Sequence, residues 1–339
     1  MKEVSIIGLD LGKRVFQVHG VDACGEVVVR RSLRRSQVLA YFGRLEPCLV
    51  GVEACATSHY WARELRGLGH DVRLIPPSYA KAYVRRNKND AADAAAICEA
   101  VSRPSMRFVA IKTAAQQAAS GLHRVRALLV KQRTMSMNAL RGLMAEFGVV
   151  VAAGPGRVDG LLEVLDDPED QRVPAPLRAG LVSLARSLGE LERQIAALDK
   201  QILEWGRGQE AYRHLITIPG FGPILSSALA AMLVDPASFR SGRDFSASLG
   251  LVPRQSGTGG KLRLGPISKR GNGYLRRLLV NGAMSVLNSR RAKQDPWLVK
   301  LLETKARKLA AVALANKMAR IAWAIMRRQE DFRPRVLAA

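Results

Sequence analysis

Val4-Ser5-Ile6-Ile7-Gly8-Leu9-Asp10-Leu11-Gly12-Lys13 is the stretch whose reading decides the fold of the first hundred residues. Residues 4–9 are a short apolar run rich in β-branched side chains, and the run ends in a carboxylate, Asp10. That pattern is a strand. Working outward, residues 15–18 and 27–29 repeat it, with the turn residues Asp22 and Gly25 between them, so a three-strand meander is predicted. Residues 36–45 read as a helix, and residues 48–52 as a buried strand ending in Glu53. Residues 58–68 are again helical, and residues 71–75 form a strand stopped by Pro76-Pro77. Residues 90–101 make the last helix of this part. The order β-β-β-α-β-α-β-α fits a mixed sheet with helices packed on it.

Beyond it the periodicity changes. Leu181, Leu184, Leu188, Leu191, Ile195, Leu198, Ile202 and Trp205 are spaced alternately three and four apart, the seam of a coiled-coil helix. Residues 114–147 carry a looser version of the stripe, and a Gly-, Pro- and Asp-punctuated stretch, 148–176, separates the two. An antiparallel helical hairpin follows, with arms of ~30 residues and ~45 Å each. A third region starts near Tyr212. It holds Ile218-Pro219-Gly220-Phe221-Gly222-Pro223 before an apolar helix, then a loop rich in glycine and basic residues, then helices over 273–289 and 297–326. The chain is therefore read as 1–107, a mixed-sheet domain; 108–206, a coiled-coil hairpin; and 207–339, a mainly helical C-terminal domain.

Composition narrows the partners. Among 339 residues, 53 Lys and Arg face 29 Asp and Glu, giving a net charge of +24. Such an excess favours a polyanion, DNA or RNA. A membrane role is not expected, because no apolar run is read as bilayer-spanning, and the N-terminus lacks the apolar core of a signal peptide, which points to the cytoplasm. Cys24, Cys48, Cys55 and Cys98 form no Cys-x-x-Cys pair, so they read as reduced thiols rather than zinc ligands. Aromatic residues are 5% of the chain, so nucleic-acid contact should rest on charge and backbone shape more than on base stacking.

Four acids carry the chemistry. Asp10 and Glu53 end two strands, and Asp90 and Asp93 lie three apart on one helix face. If the two strands are sheet neighbours, all four converge. Converging carboxylates repel one another unless a cation neutralises them, and oxygen-only ligation suits Mg²⁺ or Mn²⁺. Two such ions activate a nucleophile and stabilise the leaving oxygen of a phosphodiester. The competing reading is structural: Asp90 as a helix cap, Asp93 as a dipole partner, Asp10 and Glu53 in turns.

At Gly8-Leu9-Asp10-Leu11-Gly12, Gly51-Val52-Glu53-Ala54 and Asn89-Asp90-Ala91-Ala92-Asp93-Ala94 the chain resembles the Asp-Glu-Asp-Asp transposases of bacterial insertion sequences. Further matches are Gly250-Leu251-Val252-Pro253-Arg254-Gln255, Ile267-Ser268-Lys269-Arg270-Gly271-Asn272 and Leu314-Ala315-Asn316-Lys317-Met318-Ala319-Arg320. The resemblance covers essentially the whole chain. It implies a RuvC-like, ribonuclease-H-fold N-terminal domain with Asp10, Glu53, Asp90 and Asp93 as ligands of Mg²⁺ or Mn²⁺. It also implies a recombinase guided by a bridge RNA, acting on donor and target double-stranded DNA as a homo-oligomer.

Residues 254–277 carry seven Lys or Arg and no acid. Here the resemblance implies a catalytic serine that joins covalently to the cut strand. Two residues compete for that role. Ser256 offers a less crowded primary hydroxyl, whereas counting forward from Pro253 reaches Thr258. Lys261, Arg263, Lys269 and Arg270 are the candidate phosphate ligands beside it, although a solvated basic turn explains the same composition. Gly220 and Gly222 lie in a turn like that of a helix-hairpin-helix motif, read either as a backbone phosphate site or as a plain helix–helix turn. Other functions stay open: a protein-only invertase or junction-resolving nuclease, or a non-catalytic nucleic-acid-binding protein.

Overall fold

The computed structural model describes residues 3–83, 89–151 and 159–334. A five-stranded mixed sheet is built from β1 (Ile6–Asp10), β2 (Val15–Val21), β3 (Val27–Arg34), β4 (Leu49–Glu53) and β5 (Asp71–Ile75), in the order β3-β2-β1-β4-β5. The first three strands form the expected antiparallel meander, each longer at its C-terminal end than the apolar runs suggested. β4 lies parallel to β1, with Leu9 opposite Val52, and β5 lies parallel to β4.

Alternation divides the sheet into two faces. Ile7, Leu9, Val50, Val52, Val72 and Leu74 point to one side and pack against α1 (Val38–Phe42) and α2 (Ser58–Gly67). The first of these helices is shorter than expected, because residues 35–37 form a tight 3₁₀ turn before it. The other face receives α3 (Pro77–Ala80) and α4 (Asp90–Val101), whose Ile97, Ala100 and Val101 pack with Ile75 and Ala80.

α5 (Ala114–Ala145) and α7 (Ala175–Arg207) are the two long arms. Leu181 and Leu188 of the heptad seam are buried with Met137, Leu140 and Met144 of α5, so the arms pair within one chain. Ile195 and Ile202 continue the buried line, while Leu184, Leu191, Leu198 and Trp205 are half-covered. The stretch between the arms contains a helix that its punctuation hid, α6 (Asp159–Asp166), with Leu161 and Leu165 in the same core.

The remaining residues form α8 (Glu210–Leu215), α9 (Pro223–Met232), α10 (Gly242–Ser248), β6 (Pro253–Thr258), β7 (Lys261–Ile267), α11 (Gly273–Asn288), α12 (Arg291–Gln294), α13 (Pro296–Thr304) and α14 (Arg307–Arg328). The single helix expected over 297–326 is two, broken by the extended backbone of Lys305 and Ala306. α14 also corrects the reading of apolar length. It has 22 residues, and an 18-residue window within it has a mean hydropathy of 1.4, enough by length and composition to cross a bilayer. Its Ala310, Leu314, Ala315, Met318, Ala322 and Ile325 are instead buried in the C-terminal core against α10 and α11. The parts of the chain are tied together by polar contacts, among them Arg107 to both carboxylate oxygens of Asp244 at 2.6 and 2.7 Å.

Candidate active site

Asp10 and Glu53 leave the C-terminal ends of neighbouring parallel strands on the α4 face. What brings α4 over them is a pair of glycines. Gly8 and Gly51 are register partners in the middle of β1 and β4. A Cβ on Gly8 would come 2.1 Å from the Ala94 carbonyl oxygen, and one on Gly51 would come 2.7 Å from Val101 Cβ. The helix backbone therefore rests directly on the sheet, and its first turn reaches the strand ends.

α4 is capped by Asn89, whose side chain accepts the Ala92 N–H at 2.8 Å. Asp90 is thus not the cap, and it is left with Asp93 on the first turn. Asp10, Asp90 and Asp93 each bring a carboxylate oxygen within 4.8 Å of the others. Glu53 lies outside that trio, but its charge acts on Asp10. Burial, then the charges of Asp93, Asp90 and Glu53, push the Asp10 carboxyl up to about 6, against the pull of a hydrogen bond from the Leu11 N–H. A carboxylate cluster so strained electrostatically fits a hard divalent cation, with oxygen donors from Asp10, Asp90 and Asp93 and Glu53 beside them. It is half-exposed, so a substrate can reach it.

The basic loop is a hairpin. β6 and β7 pair antiparallel around Gly259-Gly260, both at positive φ, the conformation a two-residue turn demands. Ser256 pairs with Arg263 and Thr258 with Lys261, so both hydroxyls and both cations share one face. Leu262 and Leu264 occupy the other face, 65% and 63% exposed. The hairpin thus projects with neither face covered among the described residues. Its base is firmly held: Ser268 N–H donates to Val252 O at 2.8 Å, Asn316 Nδ2 to Leu251 O at 3.2 Å, and Arg276 Nη1 to Leu249 O at 2.8 Å. Lys269 and Arg270 are exposed at this base, where Gly250 and Gly271 allow the backbones to cross closely.

The two glycines of the helix–helix turn part company. Gly220 has φ +83°, and a Cβ there would lie 2.7 Å from the Gly282 carbonyl and 2.9 Å from the Met318 methyl. It packs α8–α9 onto α11 and α14, a core role rather than an open phosphate cradle. Gly222 is exposed at the N-terminus of α9, with open space beside it.

Comparisons with known proteins bear on these parts together. Residues 7–148, which hold the four acids, match a family model described as a transposase, of the DEDD type found in the IS110 group. Residues 212–297 match the transposase IS116/IS110/IS902 family. The chain belongs to this transposase family. The transposase is 51% identical over 335 residues to a Pseudomonas aeruginosa protein named "Probable family 20 transposase", covering 98% of this chain and 99% of the relative. It is 42% identical to the transposase for insertion sequence element IS1328 of Yersinia enterocolitica, covering 96% and 97%. With the transposase for IS1111A of Coxiella burnetii it shares 38% identity over 98% and 92% of the two chains. As a transposase it acts on DNA, and its excess of Lys and Arg suits that partner.

Proposed function

We propose that this transposase cuts DNA at a metal centre formed by Asp10, Glu53, Asp90 and Asp93 on a ribonuclease-H-like sheet, and passes the cut end to a hydroxyl of the β6–β7 hairpin. The observation that carries this is the meeting of three carboxylate oxygens within 4.8 Å, beside a fourth acid, in a chain of net charge +24. Mg²⁺ or Mn²⁺ bound there would polarise the phosphodiester and stabilise the leaving oxygen. The chain's own part is to hold the acids ionised and convergent. In the covalent step, Oγ of Ser256, or Oγ1 of Thr258, bonds to phosphorus while the bond from phosphorus to the sugar oxygen breaks. The hydroxyl loses its proton and the sugar oxygen gains one, so the phosphodiester count is conserved and no oxidant or nucleotide is consumed.

The hairpin's exposed Ser256–Thr258 face, with Arg263 and Lys261 opposite, supports its meeting the acids of another copy in a homo-oligomer rather than those of its own chain. The half-covered residues of α7 and the exposed Val125, Leu128 and Met135 of α5 offer apolar surface for that association. Lys261, Arg263, Lys269, Arg270 and the Gly222 N–H are proposed phosphate contacts, and a bridge RNA is proposed to choose the sites by base pairing.

The test is incubation of the purified protein, with its copurifying RNA, with DNA carrying the element's ends. Mg²⁺ should produce strand cuts and a denaturant-stable protein–DNA adduct. Asp10→Ala should abolish both, and either Ser256→Ala or Thr258→Ala should abolish the adduct. Metal-independent cutting, or an adduct that survives loss of both hydroxyls, would defeat the reading. Sequencing the bound RNA tests guidance separately: bulk cellular RNA or none would remove the guide and favour a protein-only invertase.

A further inference from the structure

The face of the sheet that carries Asp10 does not end at α4. Register extends it sideways: Asp10 pairs with Gln17, and Gln17 pairs with Ser32. Next along the same face, His19 pairs with Arg30. α4 lies over β1, β2 and β4, and at its β3-side edge a groove of about 420 Å³ runs between its Ala91, Ala92 and Ala95 and the strand residues Gln17, His19, Arg30 and Ser32. The groove begins where the carboxylates stand, since Ala91 and Ala92 lie between Asp90 and Asp93 in the first turn of α4.

Its chemistry is selective. The Ser32 hydroxyl donates to Gln17 Oε1 at 2.8 Å, which fixes the amide so that its NH₂ is the group left to offer a ligand. Arg30 is exposed, and burial together with the Arg30 charge lowers the pKa of His19, so Arg30 is the fixed cation there. The floor is three alanines, which permit close approach and add no charge. The rim is basic: Lys13, Arg14 and Arg34 lie at the end of the sheet that bears Asp10, whereas the acids of residues 11–45, Asp22 and Glu26, sit at the opposite β2–β3 turn. Amide donors, the exposed Arg30 and an uncharged floor beside the acidic trio suit the phosphates of a sugar–phosphate backbone. A volume of roughly 300 Å³ or more is enough for a ligand of nucleotide size.

We propose that this groove seats the DNA nucleotide next to the phosphodiester being cut, with Gln17 and Arg30 as its phosphate ligands. The proposal rests on the metal-centre reading above. Gln17 and Arg30 act by fixing the strand's path, so that the neighbouring phosphate arrives at the carboxylates in one position.

The experiment separates the two readings. Binding is measured without metal in the Asp10→Asn protein, using a 30-base-pair duplex of the element's end and its nicked form, so that its outcome does not depend on cutting. Arg30→Ala should weaken binding of the nicked DNA about tenfold and lower the slope of log K against log salt by about one. In the Mg²⁺ cutting assay with Asp10 restored, the same change should raise half-saturating DNA by a similar factor and lower the maximal rate as well, because the strand's path is no longer fixed. Ala91→Trp, on an exposed helix position, should block the groove and reproduce the loss of binding with an unchanged melting temperature. A photoreactive residue at position 91 should crosslink to the DNA strand next to the cut. Unchanged affinity and salt slope in both variants, or crosslinking to copurified RNA instead of DNA, would overturn the proposal even if Asp10 proves essential. If Asp10→Ala cuts normally while the groove variants still lose binding, the metal-centre reading fails and the groove remains a DNA site elsewhere in the reaction.

Discussion

Asp10 is where the charge of the whole cluster is felt. Its carboxyl titrates near 6 in the fold, against 3.8 without burial and the neighbouring acids. Between those values the folded protein holds a proton that the unfolded chain has released, so stability falls as pH rises through this window and the benefit is gone above about pH 6. Metal-free protein should therefore melt at a lower temperature at pH 7.5 than at pH 5 through this group, and Asp10→Asn should recover part of the loss at pH 7.5. Adding Mg²⁺ or Mn²⁺ should raise the melting temperature of the unsubstituted protein at pH 7.5 and shift Asp10→Asn far less. Thermal melts across pH with and without metal check both; a metal response that persists undiminished in Asp10→Asn would place the cation elsewhere. The four acids were legible because each stands where an apolar run stops or a helix begins, a position at which burial alone has no use for a carboxylate. Gly220 was legible only as a glycine. Whether its freedom serves a phosphate or a neighbouring helix depends on Gly282 and Met318, which are about 60 and 100 residues away in the chain.

At the scale of elements, the site exists because α4 lies flat on β1 and β4. Gly8→Ala would force a Cβ into the Ala94 carbonyl, and neither backbone can yield without lifting the helix. A cost of ~2–4 kcal/mol is expected, at the upper end of overpacking penalties. Because lifting α4 also separates Asp90 and Asp93 from Asp10, cutting should fall further than the stability loss explains. Denaturant melts paired with cutting rates at a temperature where the variant remains folded measure the two effects separately. The strands and this helix were readable from periodicity, yet the glycine pair was not, since its meaning comes from the parallel register of two strands over 40 residues apart. The β6–β7 hairpin was missed for a related reason. Composition reads this segment as a glycine-rich basic loop or a solvated turn, although two consecutive glycines between alternating residues also specify a tight hairpin turn. With the hairpin in place, Ser256 and Thr258 can be told apart by position: Thr258 adjoins the turn, and Ser256 lies two pairs closer to the anchored base. Ser256→Ala is expected to abolish the protein–DNA adduct and Thr258→Ala to reduce it by less than about tenfold, read by gel shift after denaturation. The reverse result would assign Thr258. The break between α13 and α14 carried no comparable signal, for neither Lys305 nor Ala306 is a helix breaker.

In the whole molecule, the long arms meet the C-terminal core through a buried polar joint. His123 of α5 reaches the Tyr274 hydroxyl at 3.0 Å and the Ser227 hydroxyl at 3.1 Å, while Arg126 one turn on pairs with Asp199 of α7. Burial first, and the Arg126 charge second, lower the His123 pKa to about 4, with Asp199 opposing. His59, which accepts the Lys112 N–H at 3.3 Å where the chain leaves the sheet for α5, is lowered to about 4 in the same way. Both must be neutral to stay in place, whereas in an unfolded chain each takes up a proton near 6.5. The unfolded state therefore binds more protons between pH 6.5 and 4, and stability is lost as pH falls through that range. This runs opposite to the Asp10 effect, and the two can be separated in space. On acidification from pH 7 to 5, amide protection factors, corrected for the intrinsic pH dependence of exchange, should fall in α5, α9 and α11 around His123 and rise in the sheet around β1. His123→Gln, which keeps hydrogen-bonding groups but cannot titrate, should flatten the acid response at the joint and leave that of the sheet unchanged. An unaltered acid response in His123→Gln would mean that the arms are held to the core by packing alone, and that the orientation of any oligomer they build is insensitive to pH.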